Sequence, residues 1–187
     1  VEMLMPAKTA NPYYAEFGWL AADAKIRLPN AETQWTVRGQ KLTPQTPVVL
    51  EWDNGQGLKF VTTLTVDENY MFNVAQAVEN NTQKPVTLYP YGLIARVPDN
   101  TAKNSVVHEG LIGVMDDTLE EIKYDDLKDE NQEFTTTGGW MGFSDRYWFS
   151  AIVLNPATES RVKFGKTGEN LYQTDFVGAP VTIAAGA

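Results

Sequence analysis

The chain has 187 residues, of which 43% are hydrophobic and 21% charged, with a formal net charge of -9 and no cysteine. This balance is that of a globular protein that can form a core, and it excludes intrinsic disorder. The negative charge argues against binding to nucleic acid or to anionic lipid. The lack of cysteine excludes disulfides, thiolate metal sites and a thiol nucleophile.

The two ends of the sequence indicate a fragment. The chain begins with Val1 rather than Met, carries no recognisable signal peptide, and ends in "VTIAAGA", which we expect to begin a last strand. No run of 18 apolar residues is present, so the sequence predicts no segment that spans a bilayer. For this length we predict one β-sandwich domain over residues 1–187.

The first 34 residues mix proline, asparagine and glycine with aromatic residues and show no sustained helical period. Four of their side chains would expose apolar surface if the segment extended into water: Tyr13, Tyr14, Phe17 and Trp19. We therefore predict an irregular segment, residues 1–34, that packs along the outside of the sandwich.

From residue 35 onward the sequence predicts strands. "PVVLEW" (47–52) is followed by Asp53-Asn54-Gly55, a strong hairpin signal because asparagine and glycine tolerate positive φ. "LKFVTTLTVD" and "NYMFNVAQAVEN" then alternate between apolar and polar residues, as strands with one buried face do. "VTLYPYGLIARVP" contains Pro90, which predicts a bulge or an edge strand because proline cannot donate to a central ladder.

The second half continues the β pattern. "VVHEGLIGVM" and "LEEIKY" predict a hairpin turning at Asp116-Asp117. "RYWFSAIVLNP" is almost continuously apolar and predicts a strand buried on both faces, and "RVKFGKTGENLYQTDF" predicts a strand, a turn and a strand. In all, about ten strands with frequent turn signals predict an all-β, mostly antiparallel sandwich. Helices are at most short, with one candidate at 121–130.

Residues of the types used in catalysis form no convincing site. His108 is the single histidine, and adjacent strand residues point to opposite faces, so it would not pair with Glu109. Ser144 lacks the second glycine of a nucleophile elbow. The segment 116–133 holds nine acids and two lysines but does not match a calcium loop, so we interpret it as a solvated hairpin tip or short helix. We predict no catalytic residues, no metal site and no cofactor.

Aromatic residues are the remaining candidate for a binding site, and four of them follow two glycines: Trp140, Phe143, Tyr147 and Trp148. In a groove of a β-sandwich such side chains can stack on sugars or hold extended peptides. The alternative is that they fill the space between two sheets, as most large apolar side chains do. In that interpretation Gly138 and Gly139 allow a tight entry into a central strand, and Asp145 forms an ion pair with Arg146.

Several stretches occur in an order that resembles a known family: "KTANPYYAEFGW", "WDNGQGLKF", "NYMF", "LYPYGLIAR", "HEGLIGV" and "YDDLK", followed by "GGWMGFSDRYW". Together they are similar to the large periplasmic domain of the YidC/Oxa1/Alb3 membrane protein insertases, in the Gram-negative form. "HEGLIGV" and "GGWMGFSDRYW" are the most specific of these stretches. The resemblance covers nearly the whole chain.

The resemblance implies a β-supersandwich, related in shape to galactose mutarotases, on the periplasmic side of the bacterial inner membrane. It implies an insertase that works without cofactor or covalent catalysis, through a transmembrane groove that this sequence lacks. The amphipathic helix that follows the sandwich in the family is also absent, so we expect no insertase activity from this chain alone. The implied partners are SecD/SecF, other components of the Sec translocon and nascent membrane proteins, with the membrane reached only through the missing transmembrane helices.

Three functions remain open from the sequence. The first is a non-catalytic scaffold or protein-interaction module of an insertase. The second is a module that binds carbohydrate or extended peptide. The third is a mutarotase-like enzyme, which needs an acid and a base converging on one sugar ring, and a single histidine argues against it.

Overall fold

The computed structural model describes residues 4–98, 108–127, 131–145 and 148–187. Within these residues the chain forms strands and one 3-10 helix, Tyr124–Leu127. The strands are β1 (Tyr13–Ala21), β2 (Thr36–Arg38), β3 (Val48–Asp53), β4 (Leu58–Val66), β5 (Phe72–Asn80), β6 (Val86–Arg96), β7 (Gly110–Met115), β8 (Thr118–Lys123), β9 (Gln132–Thr137), β10 (Trp140–Ser144), β11 (Phe149–Val153), β12 (Glu159–Lys166), β13 (Tyr172–Gly178) and β14 (Val181–Ile183). The predicted all-β, antiparallel fold with at most short helices is confirmed.

The chain divides into two compact units. Unit 1 comprises Val1–Phe17 and Tyr91–Ala179, and unit 2 comprises Gly18–Pro90 and Pro180–Ala187. Each unit has its own hydrophobic core. The single domain over residues 1–187 stays a prediction.

Unit 1 is a β-sandwich. One sheet holds Tyr91–Arg96 of β6, followed by the antiparallel strands β13, β12 and β9, and the other has the antiparallel order β11-β10-β7-β8. Alternate residues of both sheets meet in one core, because successive strand side chains point to opposite faces. Its fully or almost fully buried members are Ile94, Leu111, Met115, Ile122, Leu127, Met141, Phe143, Leu154, Val162, Phe164 and Tyr172.

Unit 2 contains the antiparallel sheet β2-β3-β4-β5, together with β14 paired to Val86–Leu88 of β6. Its core consists of Trp19, Leu58, Phe60 and Leu88. The hairpin between β3 and β4 is organised by the buried Asn54, whose Oδ1 accepts hydrogen bonds from the backbone N–H groups of Gln56 (2.7 Å) and Leu58 (3.1 Å). Local side-chain bonding of this kind is why asparagine favours turns, and it confirms the predicted hairpin at Asn54-Gly55.

Two expectations from the sequence are wrong. Residues 13–21, within the segment 1–34 predicted as irregular, form β1, whose aromatic and small residues suit a pleated surface. Pro90 lies inside β6, which stands between β1 and β13 in its sheet, so the expectation of an edge strand is wrong, whereas the bulge stays a prediction. It falls between Leu88, which pairs with β14, and Tyr91, which pairs with β13, so proline removes no donor that either partner needs.

We expect Gly139→Val to destabilise unit 1. Gly139 has φ +84°, and a Cβ there would lie 2.1 Å from the carbonyl oxygen of Val114 in β7. Backbone strain and this collision together should lower the free energy of unfolding by at least about 3 kcal/mol, measured by urea denaturation.

Gly168→Val is the matched control, because Gly168 also has positive φ (+107°) but no atom within 4 Å of the point that a Cβ would occupy. Gly168→Val introduces only the backbone strain, so its free energy of unfolding should fall clearly less than that of Gly139→Val. Equal losses would show that the approach of Val114 is unimportant.

Candidate functional site

The outward face of the sheet β11-β10-β7-β8 is the main candidate site. The strand register places one apolar residue from each strand in a row across it: Val153, Trp140, Val114 and Leu119. A second row contains Ala151, Gly142 and Ile112. Because side chains alternate along a strand, all of these point away from the core that Met141 and Phe143 enter. We call these rows, with Phe149, the outer face.

Much of the outer face is open to solvent. Val153 is 67% exposed, Leu119 55% and Phe149 53%, high values for large apolar side chains. The rings of Trp140 and Phe149 meet edge to face, with centroids 5.2 Å apart. They can meet because the positions between them on the two strands are occupied by Gly142 and Ala151, the smallest side chains. The result is a contiguous apolar surface rather than scattered single residues.

The four predicted groove residues have different environments. Trp140 is half-buried on the outer face, so it does not fill the space between the sheets, and Trp148, which precedes β11, is 45% exposed. Phe143 has no exposed surface and contacts Tyr13 and Tyr124 in the core, so its predicted place in a solvent-facing groove is wrong. Tyr147 lies outside the described residues.

The burial predicted for the strand that contains Phe149 is also wrong. β11 is an edge strand of its sheet and is not buried on both faces. Leu119 and Val114 are members of the outer face that the sequence reasoning missed. The alternation in "TLEEIK", where Leu119 shares a face with Glu121 and Lys123 and opposes the buried Ile122, is the signal that indicates an exposed leucine.

A buried ion pair lies near the inner side of the same sheet. The guanidinium of Arg96, whose side chain is 8% exposed, hydrogen-bonds Asp145 Oδ2. Its Cζ also lies 4.9 Å from the ring centroid of Tyr13, and the Tyr13 hydroxyl hydrogen-bonds Ser150. The predicted pair of Asp145 with Arg146 lies outside the described residues, and among those described Asp145 pairs with Arg96. The pair holds β6 against the end of β10.

Burial raises the pKa of the Tyr124 hydroxyl, an effect that nearby Arg96 opposes and Asp145 reinforces. Burial likewise raises the pKa of Tyr13, against the hydrogen bond from Ser150. Both tyrosines therefore favour the neutral form in the folded state. Neither shift creates a base or nucleophile near neutral pH, because each moves the group further from ionisation.

The catalytic candidates do not converge. Nε2 of His108 lies 3.0 Å from the carbonyl oxygen of Leu111, a contact that occupies one ring nitrogen in a local turn. Ser144 is half-buried at the C-terminal end of β10, on the strand face opposite Phe143. Among the residues that the structure describes, no three histidine or carboxylate side chains cluster as a metal would require. The described part of the chain also contains no helix long and apolar enough to cross a membrane.

We expect Arg96→Met to lower the free energy of unfolding by about 2–4 kcal/mol, because Asp145, 24% exposed, would lose this ion pair at a largely buried position. Urea denaturation measures the change. Arg38→Met is the matched control, since Arg38 pairs with Glu51 while 69% exposed. That exposed pair should contribute less than about 1 kcal/mol. Similar losses in the two variants would contradict a structural role for the Arg96 pair.

We expect Tyr124→Phe to flatten the alkaline loss of stability. Because the folded-state pKa of Tyr124 is raised above the ordinary value of 10.0, its stabilisation is complete below pH 10 and is lost as the pH rises further. Its removal should reduce the slope above pH 10 by up to about 1.4 kcal/mol per pH unit. Urea denaturation at several pH values measures this slope.

Tyr70→Phe is the control, because the side chain of Tyr70 is 74% exposed. Its slope should match that of the unmodified protein. Identical profiles for the Tyr124 and Tyr70 variants would exclude the proposed effect of burial.

Comparisons with known proteins give the family. The family model described as the YidC periplasmic domain matches residues 1–187. Proteins named "Membrane protein insertase YidC" from Beijerinckia indica subsp. indica, Bradyrhizobium diazoefficiens and Rickettsia felis are similar to the chain, with identities of 46%, 42% and 38%. These alignments cover 100%, 100% and 98% of the chain but only 32%, 31% and 34% of the relatives. The chain thus spans about a third of the length of the relatives it matches, and it belongs to the YidC periplasmic domain family.

Proposed function

We propose that this chain is a non-catalytic interaction module of a membrane protein insertase, on the periplasmic side of the inner membrane. The family match over the whole chain supports the assignment to an insertase. The observation that carries the interaction role is the outer face, where Val153, Leu119 and Phe149 are each more than half exposed. Exposed apolar patches that persist on folded proteins usually mark contact surfaces.

Membrane insertion itself would belong to parts of the relatives that lie outside this chain. In this proposal the module contacts nascent membrane proteins, SecD/SecF or other Sec translocon components, and it uses no cofactor. Among the described residues His108, the single histidine, lies against the backbone oxygen of Leu111, and this contact supports a passive role. An acid and a base converging on one substrate are what a mutarotase would need.

A module that binds carbohydrate is the second candidate, and one observation favours it. The Trp140 and Phe149 rings meet on the outer face, where Phe149 is 53% exposed, and they present edges and faces on which a sugar ring can stack. This candidate differs from the first in its ligand and predicts binding of free oligosaccharide.

The proposed role can be tested with photoreactive residues in the full-length insertase in native membranes. Probes replace Leu119 and Val153 on the outer face, and Asn170, exposed in the turn between β12 and β13, serves as the control position. We expect protein adducts from both outer-face probes at several times the yield from Asn170, because apolar contact surfaces are occupied by partners. Immunoblotting against Sec components and labelled nascent chains identifies the adducts.

Two results would overturn the proposal. One is an adduct yield from Leu119 and Val153 no higher than that from Asn170. The other is turnover of an aldohexose by the protein that His108→Gln abolishes, since that outcome would establish catalysis. Binding of oligosaccharides, measured by tryptophan fluorescence, would favour the carbohydrate module instead.

A further inference from the structure

One edge of β11 is left open in the described part of the chain. β11 pairs with β10 along its whole length, from Phe149 opposite Ser144 to Val153 opposite Trp140. β11 is the terminal strand of the order β11-β10-β7-β8, and no described strand pairs with its other side. A free strand edge is a template for pairing with another polypeptide.

The hydrogen bonds show which backbone groups point to this free edge. Asp145 N–H donates to Trp148 O at 2.9 Å, and Leu154 N–H donates to Gly139 O at 2.9 Å. In an antiparallel ladder, directly opposed residues alternate between bonded and non-bonded pairs, so residues 148, 150, 152 and 154 face β10. The N–H and C=O groups of Phe149, Ala151 and Val153 therefore point away from β10, toward the free edge.

The same three residues direct their side chains to the outer face. Phe149 and Val153 are 53% and 67% exposed, and Ala151 between them is small. Backbone donors, backbone acceptors and apolar surface are thus offered together along five residues of one strand. β8, at the opposite edge of this sheet, differs because Glu121 and Lys123 follow Leu119 at its outward positions.

We propose that β11 is a docking strand, to which an extended apolar segment of a partner polypeptide adds as a further strand of the sheet. This inference rests on the proposed interaction function and specifies its surface and its partner. Backbone hydrogen bonds to Phe149, Ala151 and Val153 supply the affinity, and alternate side chains of the added strand pack beside Val153 and Phe149 on the outer face. Strand addition of this kind tolerates many sequences because the backbone makes most of the bonds.

The charge of the chain indicates which residues should flank the apolar part of the partner segment. Between residues 116 and 127 there are six acids and one lysine, and Asp117 and Glu121 are exposed beside Leu119 at the far side of the outer face. The whole chain carries a net charge of -9, so a second copy docking on this edge would meet strong repulsion. A segment with an apolar centre and lysine or arginine flanks is complementary to both features.

A defined peptide tests the proposal on the full-length insertase in nanodiscs. The probe is a fluorescently labelled peptide of alternating valine and threonine with two lysines at each end. We expect binding by anisotropy, with new protection from hydrogen exchange at the amides of Phe149, Ala151 and Val153. Protection is expected at these alternate positions because the amides of residues 150 and 152 are already bonded to β10.

Ala151→Pro removes an outward N–H and blocks the approach of a strand, and it should weaken binding by at least about tenfold. The β10 ladder does not use that N–H, so the thermal melt should change little. Val153→Lys, at a site 67% exposed, provides a second variant that leaves the fold intact, and it should also weaken binding severalfold. Leu119→Lys is the matched control, with the same substitution at the other end of the same row, and it should leave affinity within about twofold.

The outcomes separate the two proposals. If the Ala151→Pro and Val153→Lys variants bind the peptide as tightly as the unmodified protein, strand docking on β11 is wrong. The same holds if Leu119→Lys weakens peptide binding as much as they do, since that result would indicate a contact over the whole outer face. A peptide with glutamate flanks that binds as tightly as the lysine form would overturn the charge argument. If the membrane crosslinks from Leu119 and Val153 persist in the Ala151→Pro protein, the proposed interaction function is supported and the proposed docking on β11 is rejected.

Discussion

The close approach of Gly139 to Val114 determines how β10 lies in its sheet. Gly139 has positive φ, and its missing side chain leaves room for the Val114 carbonyl. Its own carbonyl accepts the hydrogen bond from the Leu154 N–H, so Gly139 is bonded to the residue that follows β11 and lies against Val114 of β7. A slip of one residue would exchange the two faces of a strand. With this register Phe143 enters the core and Trp140 reaches solvent; with the alternative their positions would reverse.

The Arg96–Asp145 pair fixes the relative position of two parts of a mainly apolar core. Packing of leucine and phenylalanine side chains tolerates small shifts between facing sheets, whereas a buried charge must meet its partner. Arg96 belongs to β6 and Asp145 follows β10, so the pair connects the two sheets of unit 1. Asp145 also donates its N–H to Trp148 O, and in this way the position of the core charge is linked to the residue that precedes β11.

Local chemistry explains what could be predicted from the sequence. The turns at Asn54-Gly55 and Asp116-Asp117 depend on residues that adopt or stabilise turn geometry, and both hairpins are present, with Asp116 and Asp117 at φ 46° and 63°. The all-β class follows from alternation within short segments. The partner of Asp145 is different, because it lies 49 positions away and no local pattern marks it. The burial of β11 could not be predicted for the same reason, since an apolar run indicates affinity for apolar surroundings without saying which strand is at an edge.

An exposed edge with apolar side chains carries a risk that natural sheets usually reduce. Edge strands commonly bear lysine, an inward-pointing charge or a proline that prevents pairing with other chains. β11, "FSAIV", has none of these, and the first proline, Pro156, comes only after the strand has ended. The net charge of -9 opposes association between copies of the chain and so limits self-aggregation through this edge. Because no described strand covers this edge, neutral or basic segments can reach it, and this selectivity favours a binding surface over a defect as the explanation of the open strand.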